Sequence, residues 1–284
     1  MSAIDSLLAG LFDYAGLYPP ASLSMRSAAN NYLEYSSGRH VATLGRLIVN
    51  LDRIDELRSI AGDSFGRFRL SVVATENTDW DKLVAQVRDG APIGAVEIKC
   101  GSSSDIERIG RTIPRDLTGF FEIGMDEAGR DLLKTVVAAG ARAKIRMGGV
   151  VADAFPSSSG VAQMLQALAE LRVPFKATAG LHHPVRSRRP LTYQPQSPQG
   201  VMHGFVNLCC AAALMYFGGD RKEAESVLEE QDPSAWRIKP DAIHWRDRSW
   251  NADQVSEMRS RFLLSIGSCS FEEPIRDLES LGWL

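Results

Sequence analysis

Short runs rich in β-branched and aromatic residues alternate along this chain with segments whose apolar positions recur at helical spacing. The runs are Leu44–Asn50, Phe68–Ala74, Ile93–Cys100, Thr118–Gly124, Ala143–Gly149, Val173–Gly180, Ala242–Asp247 and Phe262–Ser268. Between most of them lie amphipathic stretches, such as Asp79–Asp89, Ser104–Thr112, Glu127–Ala138 and Ser159–Leu171. This alternation predicts parallel strands joined by right-handed helical crossovers. Eight such strands in a chain of 284 residues fit a closed α/β architecture, the (β/α)₈ TIM barrel, better than an open doubly wound sheet. No Gly-x-Gly-x-x-Gly follows an early strand, which argues against a dinucleotide-binding sheet. The expectation is one barrel domain over residues 1–284.

Two stretches break the rhythm. Phe12–Ser24 (FDYAGLYPPASLS) holds Pro19-Pro20 ahead of a helix near Met25–Ser37, and reads as an N-terminal loop extension able to cap one barrel end. Leu181–Gly200 (LHHPVRSRRPLTYQPQSPQG) has no period and follows the sixth predicted strand. Loops of that length inside a compact domain are usually functional, and this one falls at the carboxyl end of the strands, where barrel enzymes keep their chemistry.

Strands buried on both faces should read as continuous apolar runs. Several here carry charge instead: Glu97 and Lys99 in the third run, Glu122 in the fourth, Lys144 and Arg146 in the fifth, Lys176 in the sixth. Residues two apart on a strand share a face. Because Val96, Ile98, Ile145 and Phe175 suit the layer under the helices, the charged set points into the barrel. Desolvating ionisable residues on four successive strands is costly, and a site of function is the physical reason to do so. Four cations against two carboxylates give a positive interior suited to a small anionic substrate. Lysines crowded in a low dielectric would also lower each other's pKa and free an amine as nucleophile.

From Gly119 to His182 the order of FFEIG, VVAAGARAKIRMGG and FPSSSGVAQMLQALAELRVPFKATAGL resembles class I, Schiff-base-forming aldolases of the deoxyribose-phosphate aldolase type. The resemblance implies that Lys144 is the Schiff-base lysine and Lys176 the auxiliary lysine on the next strand. It puts Ala179-Gly180 at the place of phosphate-binding glycines, with Glu97 as a loose counterpart of the family's acid. Ile145, Arg146 and Met147 stand where the family has small hydroxyl residues, and His182-His183 replace its arginine.

Four of the five histidines, His182, His183, His203 and His244, follow the sixth predicted strand. A general acid or base among them is one reading, and a divalent metal held by His182, His183 and His203 is an alternative, although no H-x-x-x-H spacing supports it. Arg186, Arg188 and Arg189 form either a solvated face or an anion clamp. In SIGSCSFEEP, Ser268 and its small neighbours could hold a phosphate, while Cys269 reads as a packed thiol for want of a base. Phe205–Phe217 reads as an apolar helix, buried against the barrel or at a subunit contact, so a homo-oligomer stays open.

Composition is that of an ordinary globular chain, with 44% hydrophobic and 24% charged residues and a net charge of −3. Nothing in it calls for a nucleic-acid or membrane partner. Cys100, Cys209, Cys210 and Cys269 form no C-x-x-C pair, and the first residues carry no basic leader, so a cytoplasmic protein with reduced thiols is expected. The first functional expectation is a lyase acting without cofactor on a small anionic carbonyl compound. Lys144, Lys176, Glu97, Glu122 and His182 would do the chemistry. Lys99, Arg146, Gly148, Gly149, Gly180, His183, His203 and Ser268 would bind the substrate. The rivals are a metal-assisted hydrolase or lyase and a barrel that binds without catalysing.

Overall fold

The computed structural model describes residues 1–75, 77–99 and 101–284. Cys100, at the end of a predicted strand, lies outside the described residues. From the N-terminus the chain runs α1 (Ala3–Leu8), β1 (Phe12–Tyr14), α2 (Met25–Tyr35), β2 (Leu44–Asn50), α3 (Ile54–Ala61) and β3 (Leu70–Thr75). There follow α4 (Trp80–Arg88), β4 (Ile93–Lys99), α5 (Ser103–Thr112), β5 (Thr118–Ile123), α6 (Glu127–Ala138), β6 (Arg142–Arg146), α7 (Ser158–Glu170) and β7 (Phe175–Thr178). The last third holds β8 (Ser187–Pro190), β9 (Gln199–Met202), α8 (Phe205–Tyr216), α9 (Arg221–Glu229) and β10 (Trp236–Ile238). It ends with β11 (Ala242–Trp245), β12 (Arg248–Asn251), α10 (Ala252–Arg261), β13 (Leu263–Ser268) and α11 (Glu272–Ser280).

Strands β1, β13, β7, β6, β5, β4, β3 and β2 close in that order into a barrel. Every neighbouring pair is parallel. The (β/α)₈ barrel is therefore the fold, and seven of its strands coincide with predicted runs. Helices open where a short polar side chain can accept an otherwise orphaned amide: Ser24 caps α2, Asp79 α4, Ser102 α5, Asp126 α6 and Ser157 α7.

The eighth barrel strand corrects the sequence reading twice. β1 lies inside the segment expected to be a loop, and its three residues pair with β13 on one side and β2 on the other. The run Ala242–Asp247, expected in the barrel, instead centres a three-stranded antiparallel sheet, β10-β11-β12, outside it. That sheet hides the side chains of Trp236, Trp245 and Trp250. The sixth predicted strand, β7, is thus the seventh of the barrel.

The seam made by β1 and β13 is locked from below. The buried guanidinium of Arg259, on α10, donates to the carbonyls of Leu7 at 2.8 Å, Ala9 at 3.1 Å and Leu264 at 3.0 Å. Helix α8 is buried from Phe205 to Met215 against α7, α9, α10 and β13, so its apolar surface is consumed within the chain rather than at a subunit contact. Asn207 on that helix is structural: its amide donates to Val227 and Glu230 carbonyls and its oxygen accepts from the Arg186 amide. The loop after β7 is partly ordered by the antiparallel pair β8-β9. No described helix is long and apolar enough to cross a membrane.

Candidate active site

The barrel interior is filled by a linear charge network rather than by apolar layers. Its most buried link is Lys176 on β7, whose ammonium donates to Asp13 Oδ2 on β1 and to Glu97 Oε1 on β4, both at 2.6 Å. Ser265 supports Asp13 at 2.7 Å and Ser71 supports Glu97 at 2.7 Å, while the Arg46 amide donates to the other Asp13 oxygen. The Phe120 ring lies below the ammonium, 5.6 Å from its centroid to Nζ. Each buried charge here has an opposite partner, which is the condition for keeping it ionised out of water.

Lys144 continues the chain toward solvent. It stands beside Lys176 in the β6–β7 register, and its Nζ lies 3.0 Å from Glu97 Oε2 and 3.1 Å from Glu122 Oε2. The approach to Glu97 is an ion pair whose angle falls outside hydrogen-bond geometry. Arg146 ends the series, its Nε 3.5 Å from Glu122 Oε1. Burial opposes ionisation of Glu97 and Glu122. The facing cations (Lys176 and Lys144 at Glu97, Lys144 and Arg146 at Glu122) outweigh it and hold both pKa values below the ordinary range. Burial likewise opposes the Lys176 charge, yet Asp13 and Glu97 raise its pKa. The depression expected for Lys176 is therefore corrected: the Glu97 carboxylate stands between it and Lys144.

Above this network a cavity of about 580 Å³ opens at the carboxyl ends of the strands. Among the expected residues, Glu97, Lys99, Glu122, Lys144, Arg146, Gly148, Gly149, Gly180 and His182 line it. Lys99 and Arg146 are exposed at its rim, so the buried set is smaller than expected. Gly180 has φ +70°, and a methyl there would sit 2.6 Å from the Phe155 ring and 3.1 Å from Gly148 Cα. These glycines let two loops touch at the mouth, a steric requirement.

Four expected residues do not reach the cavity lining. Lys176 lies beneath it, fully enclosed. Ser268 turns its hydroxyl to the Ser270 carbonyl. His183 pairs with Asp277 at 2.6 Å, and burial lowers its pKa despite that carboxylate. His203 meets the Pro156 carbonyl at 2.8 Å and Arg186 Nη1 at 3.1 Å. His182 pairs with Glu273 at 3.1 Å, so the three imidazoles expected as an alternative metal set face separate partners and do not converge. Among the described residues no group of three His, Cys, Asp or Glu is placed to hold a metal ion. Arg188 and Arg189 are exposed, as a solvated face would be, and neither lines the cavity.

Asp13 is an expected contact from the Phe12–Ser24 segment that periodicity could not place in the network. It sits between two aromatic residues in a strand of three, too short to show a period of two. Tyr18 of the same segment lines the cavity, and its hydroxyl donates to Asn50 at 2.6 Å. Cys269 also lines the cavity, beside His182.

No known family profile and no curated protein sequence matches the chain. Among solved structures, a pyruvate carboxylase variant from Rhizobium etli bound to acetyl coenzyme A aligns at 12% identity over 64% of this chain and 21% of its own, with a TM-score of 0.46. FabK from Thermotoga maritima aligns at 14% identity over 65% of this chain and 56% of its own, with a TM-score of 0.38. An enolase family member from Agrobacterium tumefaciens aligns at 12% over 84% and 62%, with a TM-score of 0.40. The chain spans about a fifth of the first protein and under two thirds of the other two. The likeness to deoxyribose-phosphate aldolases rests on the motifs between Gly119 and His182 alone. The barrel itself is established by its strand pairing.

Proposed function

We propose that the chain is a lyase of the aldolase kind, acting on a small anionic carbonyl compound through an imine on Lys144. The observation that carries this reading is the position of the Lys144 ammonium at the cavity wall, between Glu97 at 3.0 Å and Glu122 at 3.1 Å. Glu122, the more open of the two carboxylates, takes a proton from the ammonium. The free amine adds to the substrate carbonyl, and the resulting carbinolamine loses water with that proton returned to its hydroxyl. The iminium so formed carries its positive charge where the ammonium stood, between the same two carboxylates, so the cleft is charge-matched to the intermediate. Electrons of a neighbouring carbon–carbon bond can then move into the iminium, which is the bond-breaking step of such a lyase.

Lys176 enters this reading as a positioning residue: it fixes Glu97 and does not touch the substrate. Arg146 and Lys99 at the rim supply positive charge for the substrate's carboxylate or phosphate. The test is borohydride reduction in the presence of pyruvate, acetaldehyde or glyceraldehyde 3-phosphate, read by peptide mass spectrometry. A reduced adduct on Lys144, lost in Lys144→Met, is expected. An unchanged mass with all three compounds would overturn the reading. If Lys144→Met also stabilises the fold and alters no ligand binding, a non-catalytic barrel is the better account.

A further inference from the structure

The loop joining β13 to α11 places Cys269 against the same cavity, and its surroundings differ from those of the other described cysteines. Cys269 Sγ lies 3.9 Å from His182 Nε2 and 4.0 Å from Nδ1. Glu273, in the first turn of α11, faces His182 Nδ1 at 3.1 Å. The Tyr193 hydroxyl, from the loop after β8, donates to the same Glu273 oxygen at 2.9 Å and stands 3.5 Å from Cys269 Sγ. Cys209 and Cys210 are sealed inside α8, and burial pushes the Cys209 thiol up to about 12. Neither lines the cavity.

A thiol, an imidazole in reach and a carboxylate behind the imidazole are the three parts of an activated nucleophile. Burial opposes the charge on His182, but its contacts to Cys269 and Glu273 outweigh that and raise its pKa. None of this network is used by the lysine chemistry above. Lys144 on β6 and Cys269 after β13 are separated around the barrel by β7, and Cys269 lies beyond Ser265, the β13 residue level with Lys144 through Lys176, so the two side chains enter the cavity at different heights.

We propose that Cys269, activated by His182 and Glu273, is a second nucleophile of this cavity and takes the carbonyl carbon of a small aldehyde. The ligand class rests on the lyase reading, in which carbon–carbon cleavage leaves one fragment on Lys144 and releases the other as an aldehyde. The sulfur–carbon bond forms as the carbonyl π pair moves onto oxygen. That oxygen takes the proton from His182 Nε2, the ring nitrogen that Glu273 does not engage. The product is a neutral hemithioacetal, formed without oxidant or reductant, and its reversal restores thiolate, imidazolium and aldehyde.

The experiment is timed iodoacetamide alkylation of the full-length chain between about pH 5 and 9, with Cys209 and Cys210 as internal references. At about pH 6 Cys269 should label at least tenfold faster than in the urea-unfolded chain, because only a pre-formed thiolate reacts there. His182→Asn and Glu273→Gln should move that profile toward an ordinary thiol. Glyoxylate should slow the labelling saturably, and should still do so in Lys144→Met, where no imine can form. Labelling at about pH 6 no faster than in the unfolded chain overturns the proposal. Protection that disappears in Lys144→Met also overturns it, since the aldehyde would then be held by the lysine. Failure of the borohydride trap with Cys269 protection intact would instead sink only the imine.

Discussion

Glu97 divides its two carboxylate oxygens between lysines of adjacent strands, and the two halves of that arrangement have different consequences. Toward Lys176 the pair is closed, with 2.6 Å contacts, hydroxyl support from Ser71 and no solvent. Toward Lys144 it is looser and open to the cavity. Removing a partner from a closed buried pair leaves an uncompensated charge, whereas the pair as a whole adds little net stability. Lys176→Met should therefore cost about 3–5 kcal/mol in urea denaturation, because Asp13 and Glu97 both lose their cation. Adding Asp13→Asn to that variant should recover part of the loss, since the two sites share one interaction. A loss below about 1 kcal/mol would mean that the network is not what holds the barrel interior together.

The elements contribute by presenting strand ends to one another. The loop after β6 and the loop after β7 touch through Gly148, Phe155 and Gly180, and Ala179 accepts a left-handed backbone, φ +64°, to make the turn. Such a conformation costs a non-glycine residue about 1 kcal/mol and persists because its surroundings over-determine it. His203, between β9 and α8, joins the same region by donating from Nε2 to the Pro156 carbonyl and accepting from Arg186 at Nδ1. Burial, seconded by the Arg186 charge, pushes its pKa from 6.5 to about 4. The folded state therefore holds the neutral ring where the unfolded chain binds a proton. Its contribution is complete above about pH 6.5 and is lost as pH falls toward about 4, a loss on the order of 2 kcal/mol at pH 5. The fall in thermal midpoint between pH 7 and 5 should be smaller in His203→Gln. An equal fall in both proteins would remove His203 from the account.

At the scale of the molecule, the barrel is closed by its first and last strands, and the N-terminal segment is thus structural. Deleting residues 1–14 would strip β1 from β13 and β2, leave Lys176 without Asp13 and Arg259 without two of its carbonyls. The shortened chain should lose cooperative unfolding and aggregate, as exposed strand edges do. Gel filtration and circular dichroism would check this, and a monomer with native spectra would contradict it. The sequence by itself determined the class of fold, seven of the eight barrel strands, and the inward-facing charges Glu97, Glu122, Lys144 and Lys176. Those follow from periodicity, which is local and needs only a few residues of chain. Tertiary structure decided the rest. β1 is recognisable only by its partners, and β11 has all the local marks of a barrel strand but finds neighbouring antiparallel strands first. Which charge meets which is equally non-local: Lys176 finds Asp13 across 163 positions, and Cys269 meets His182 across 87. A sequence shows that charges have been placed in a core. Only closure of the barrel sets a carboxylate between two lysines and an imidazole beside a thiol.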